Sequence, residues 1–206
     1  LQFFKEGYPM TWLSAFHLAA TGWTAWLIFQ TRDPSGSKQH WRLWLKQLDQ
    51  KHYVWLMIAA AFLFLAVDEL IMLHELADIL IHWVLQIKEN PITDRLDDVI
   101  VFGYGFVALA GIIYYWSELK TFFKRALPFA ILGGICAFLM VVFDIVTNKN
   151  DIVPMIFGGD SDKIYNNIKL FEEGFKVWAE TFFLTGMFFC LKQAQSLANS
   201  RKSSAS

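Results

Sequence analysis

Asp68, Glu69, His74, Glu75, Asp78 and His82 crowd into one stretch, DELIMLHELADILIH, which continues directly from the apolar run YVWLMIAAAFLFLAV that begins at Tyr53. Carboxylates and imidazoles in this mixture are ligands for Fe, Mn or Zn and groups that exchange protons. An ionisable side chain at the depth of hydrocarbon is costly, so each one needs a partner, a wet cavity or a metal ion. Further along, Asp144 stands late in an apolar segment, and IKLFEEGFKVWAE brings Glu172, Glu173, Lys176 and Glu180. His17 stands alone in an apolar stretch. If Tyr53 to Lys88 is one helix, a turn of about 100° per residue puts Asp68, Glu75, Asp78 and His82 on one stripe, with His74 at its edge and Glu69 pointing elsewhere. The same spacing puts Glu173, Lys176 and Glu180 on one stripe, with Glu172 at its border.

Four chemistries fit these residues. The first is a metal site, with Asp68, His74, Glu75, Asp78, Asp144, Glu173 and Glu180 as the candidate ligands for a divalent Fe, Mn or Zn ion, in the manner of carboxylate-bridged di-metal bundles. The Glu-x-x-His spacing of those bundles is absent. The second is a proton or cation path; the inner half of the second helix, WLMIAAAFLFLAV, has no polar group, which favours a blind outer cavity over a complete path. The third is an ion-pair and hydrogen-bond network around Lys176 that holds helices together without chemistry. The fourth is a haem b between two of His17, His74 and His82. No reaction is written in the chain: it has no Gly-x-Ser-x-Gly, no Cys-His pair at reactive spacing and no phosphate-cradling glycine loop. A carboxylate layer of this kind could activate metal-bound water or oxygen.

The elements that must carry these residues follow from composition. The 206 residues are 55% apolar and 17% aromatic, richer than an ordinary soluble domain, and a net charge of -1 leaves no basic face for nucleic acid. The expected fold is all-α, an integral membrane helical bundle whose main partner is the lipid bilayer. Five segments approach spanning length, at about 20 residues each: roughly 10 to 29, 53 to 73 with a long extension, 99 to 116, 127 to 147 and 169 to 191. Basic residues gather in the first loop, the third loop and the tail, so the positive-inside rule puts the N-terminus outside and the C-terminus in the cytoplasm. A rise of about 1.5 Å per residue then puts Asp68 about 22 Å across a core of about 30 Å, with Asp144 at a similar outer level, Glu173 entering from outside on the fifth span, Glu180 two turns further inward and His17 about 10 Å below the outer surface.

Around the spans, Trp41 to Leu48 reads as an amphipathic surface helix, and Gly103, Gly105, Ala108 and Gly111 read as a packing face. The short basic stretch SELKTFFKRALP reads as a link between the third and fourth spans. Cys136 and Cys190 fall in apolar segments and read as small buried hydrophobes. Residues 1–196 form one transmembrane domain, and the polar tail 197–206 is expected to be disordered. LQFFKEGYP lacks the form of a signal peptide.

LAVDELIMLHELAD resembles a motif, Leu-Asp-Glu-x-x-x-x-His-Glu, of uncharacterised bacterial multi-pass membrane proteins. The matching residues here are Asp68, Glu69, His74 and Glu75, then Asp144, then Glu172, Glu173 and Glu180. The resemblance implies a small helical protein of the bacterial inner membrane with a shared polar site, and brings no established activity. Asp144 stands where that pattern can have Glu, which shortens the reach of the side chain. The competing expectation is a non-catalytic accessory subunit of a larger membrane complex.

Overall fold

A computed structural model describes residues 9–32, 51–86, 96–147, 153 and 161–205. It is all-α, with no strand among the described residues: α1 (Pro9–Arg32), α2 (Tyr53–Ile71), α3 (Leu73–Leu85), α4 (Leu96–Tyr114), α5 (Trp116–Thr147) and α6 (Ser161–Ala205). The expected surface helix at Trp41 to Leu48 lies outside the described residues.

Four helices make the bundle. α1 packs between α2 and α6, and α5 runs along α6 on its other side, whereas α4 touches α2, α3 and α5 only lightly. The core gathers at one end, where Ile28, Phe29, Tyr53, Val54, Trp55, Leu119, Phe122, Ala126, Cys190 and Ala194 interlock. Trp55 and Phe122 meet edge to face there at 4.8 Å between ring centroids. Close approach of α1 to α2 depends on Gly22, where a Cβ would stand 3.0 Å from both the Ala59 carbonyl oxygen and Leu63 Cγ.

Four expectations change. The single helix from Tyr53 to Lys88 is two, because Met72 adopts a left-handed conformation (φ 52°, ψ 53°) and ends α2 before α3 begins. No Gly or Pro marks this break; a polar side chain supports it, as described below. The basic link after the third span is helical, so α5 begins at Trp116 and runs through Pro128. Leu119, Phe122 and Ala126 recur there at helical spacing and are buried, and packing outweighs the backbone bond that Pro128 forfeits.

The chain also stays helical past Ser196, to Ala205. Ala194 is buried, Leu197 packs on the core, and Ser200 and Ser203 donate hydrogen bonds back to the Ser196 and Ser200 carbonyls. Finally, the small residues of α4 are not a packing face: a Cβ on Gly103 or Gly105 meets nothing within 4 Å, and one on Gly111 meets only Met57 Cε at 3.8 Å. The tight glycines are Gly22 and Gly133, the latter against the Phe183 ring.

Candidate functional site

α6 supplies the centre of the polar layer. Glu173, Lys176 and Glu180 share one face of it, as their spacing requires. Lys176 Nζ donates to Glu69 Oε1 on α2 at 2.5 Å and lies 3.9 Å from Glu173 Oε2. One turn further in, Glu180 is also within electrostatic reach of Lys176, Glu69 and Glu173. Its Oε1 accepts a hydrogen bond from Ser14 Oγ on α1, and its Oε2 faces His17 Nδ1 at 3.5 Å. Ser14 and Glu180 are buried, and neither His17 Nδ1 nor Glu180 Oε2 has a hydrogen-bond partner. Three carboxylates from two helices therefore converge on one lysine, with a histidine from a third helix beside them.

The Asp68 carboxylate reaches across the break between α2 and α3. Its Oδ1 accepts the His74 backbone N–H at 2.9 Å and its Oδ2 lies 3.0 Å from His74 Nδ1. The Met72 N–H in turn donates to the Asp68 carbonyl at 2.7 Å. The carboxylate thus caps the start of α3 across the break, satisfying a donor that the helix end would leave orphaned. The single stripe of Asp68, Glu75, Asp78 and His82 is broken with the helix, and Glu69, read as pointing elsewhere, is the α2 acid that reaches α6.

On α3, Asp78 and His82 pair along one helix, with Nδ1 at 2.9 Å from Asp78 Oδ1 and 3.0 Å from its carbonyl oxygen. Glu75 belongs to the same helix, partly buried. At the C-terminal end of α5, Thr147 Oγ1 donates to Glu172 Oε2 on α6 at 2.7 Å, both residues being buried. Phe143, which precedes Asp144 on α5, stacks on Phe175 at 5.7 Å.

The seven candidate ligands accordingly fall into separate groups: Glu173 and Glu180 around Lys176, Asp68 with His74, Asp78 and Glu75 on α3, and Asp144 on α5. Among the described residues, no group of three or more His, Cys, Asp or Glu side chains is arranged to hold a metal ion.

Sequence reasoning missed one buried cluster at the opposite end of the bundle. Arg32, ending α1, donates Nε and Nη2 to the two carboxylate oxygens of Glu118 at 2.9 and 3.0 Å, and Trp55 Nε1 approaches the same carboxylate at 3.4 Å. The Arg32 guanidinium also sits 5.5 Å from the Phe122 ring centroid. Charge counting puts Arg32 and Glu118 on one side of the molecule, but nothing in their spacing pairs them. Both cysteines are free; Cys190 is buried and borders a small apolar cavity with Trp55, Phe122 and Phe183, while Cys136 is partly exposed.

Taken together, these features define a helical bundle in which, among the described residues, two helices, α2 and α5, are long and apolar enough to cross a membrane. The chain belongs to the family defined by DUF8692, a domain of unknown function, which matches residues 2–191. No curated protein and no solved structure matches the chain.

Proposed function

We propose that this chain is a multi-pass protein of a bacterial inner membrane, with five spans, its N-terminus outside and its C-terminus in the cytoplasm, and that its outer-half polar layer binds a cation. The pattern of burial supports the membrane setting. Ser14, Thr21, Asp68, Glu118, Thr147, Glu172 and Glu180 are buried, whereas Trp12, Phe16, Phe102, Phe106, Trp178 and Phe188 are exposed. Water would favour the reverse. α1 and α6 are less apolar than α2 and α5 because they carry the polar layer; Ser14, His17 and Glu180 turn toward each other and the aromatics turn out.

The observation that carries the site is the meeting of His17 Nδ1 and Glu180 Oε2, 3.5 Å apart and otherwise unpartnered, beside a lysine shared by Glu69 and Glu173. Three carboxylates against one lysine leave negative charge uncompensated in a poor solvent for it. A proton shared between Glu180 and His17 satisfies both orphaned atoms without moving a helix. From Val54 to Val67 α2 carries no ionisable group, which favours access from the outer side over a complete path.

The experiment is an infrared pH titration of reconstituted protein. Wild type shows a protonated carboxyl band that Glu180→Gln removes; a band unchanged in that variant refutes the proton reading. A divalent Fe, Mn or Zn ion is the second reading, favoured by the same carboxylate surplus, and it requires Lys176 to withdraw from Glu69. Stoichiometric metal in purified wild type, lost in Glu173→Ala and Glu180→Ala, would put it first. The light packing and exposed aromatics of α4 favour a further role as a subunit of a larger membrane complex, and a lone native band at monomer mass counts against that.

A further inference from the structure

α3 is turned inside out. Its sequence, LHELADILIHWVL, is amphipathic: Leu76, Ile79, Leu80, Trp83 and Val84 fall on one side and His74, Glu75, Asp78 and His82 on the other, with Ile81 and Leu85 the apolar exceptions on the polar side. In water the apolar face of such a helix packs on the protein. Here no residue of α3 is buried, Ile79 is 63% and Trp83 76% exposed, while the Asp78 and His82 side chains are only 19% and 11% exposed. The apolar face thus looks away from the protein and the polar face toward it.

We propose that α3 is an interfacial helix lying in the outer leaflet, with Leu76, Ile79, Leu80 and Trp83 seated among the acyl chains. The proposal rests on the membrane reading above and goes beyond it. Length sets the depth: the 19 residues of α2 rise about 28 Å, which uses up a hydrocarbon core of about 30 Å, so α3 begins at its outer boundary. Local structure then lets the chain change direction there. Met72 leaves the helical conformation, and Asp68 takes the His74 N–H, so the turn exposes fewer unsatisfied backbone donors to lipid.

The apolar face also continues a band already present on α2, where Val67, Leu70 and Ile71 are exposed up to the break. The occupant is therefore lipid, continuous with the lipid around α2. A tryptophan near the far end is the residue type that holds a helix at a headgroup boundary. Acids on the α3 polar face and no lysine or arginine within α3 imply that binding comes from apolar burial and not from attraction to anionic headgroups.

The test places single nitroxide labels at Ile79→Cys and Trp83→Cys in full-length protein carrying Cys136→Ala and Cys190→Ala, in vesicles of phosphatidylethanolamine and phosphatidylglycerol. Collisions with oxygen and with a water-soluble nickel chelate are compared. Val67→Cys on α2 is the control for membrane insertion. Labels at 79 and 83 are expected to lose nickel collisions and keep oxygen collisions, as the label at 67 does. Free nickel access at 79 and 83, with 67 in lipid, overturns the interfacial helix and leaves the membrane reading standing; nickel access at all three removes both. Labels at 79 and 83 that are immobilised and shielded from both reagents place protein on this face, a second copy included, and also overturn it. Should the cysteine-free chain fail to fold, the same labels are read with Cys136→Ala alone, because Cys190 is buried.

Discussion

Removing the Glu118 carboxylate strands the Arg32 guanidinium at the end of α1. The two side chains are 8% and 14% exposed, and two charge-assisted hydrogen bonds at 2.9 and 3.0 Å join them. Breaking a buried pair by truncating one member costs about 3–5 kcal/mol, because the survivor keeps its desolvation without its partner. Arg32 retains slight solvent contact and its place over Phe122, so Glu118→Ala should fall at the lower end, about 3 kcal/mol. Cys190 offers the readout, since it is buried in the same core as Trp55, Leu119 and Phe122, which flank the pair. In a Cys136→Ala background its alkylation requires opening of that core, and about 3 kcal/mol corresponds to labelling roughly 100-fold faster. Replacing both residues, as Arg32→Met with Glu118→Met, removes the stranded charge and should return labelling to within about tenfold of wild type. Glu118→Ala that labels at the wild-type rate, or a double variant that labels as fast as Glu118→Ala, would refute the reasoning.

Two further outcomes follow from single contacts. Gly22→Ala forces a Cβ against the Ala59 carbonyl and should destabilise by about 1–3 kcal/mol, whereas Gly103→Ala, with open space around it, should gain up to about 1 kcal/mol from helix propensity; thermal unfolding in one detergent compares them. Thr147→Val deprives buried Glu172 of its hydroxyl donor and should cost about 1–3 kcal/mol, while Thr147→Ser keeps the bond and should unfold near the wild-type temperature.

Level was legible from sequence and pairing was not. A helix rises by a fixed amount per residue, so counting along the spans was enough to bring Glu180 and His17 to one layer, and the structure places them 3.5 Å apart. Spacing on α6 likewise identified Glu173, Lys176 and Glu180 as one face, because that helix has no break there. The α2 face failed for a definite reason. Counting at a constant angle assumes a continuous helix, and Met72 interrupts it with a residue type that carries no turn signal.

By itself, then, the sequence determined an all-α chain too apolar for an ordinary soluble domain, with its acids concentrated toward one end of its apolar segments, since composition and helical period are local properties. Tertiary structure decided everything that depends on two distant segments meeting. It chose Glu69 over Asp68 as the partner of Lys176, paired Arg32 with Glu118, matched Thr147 to Glu172, and turned the polar face of α3 inward. Those choices follow from helix register and approach distance, which glycines such as Gly22 set across an interface, and no spacing within one helix encodes them.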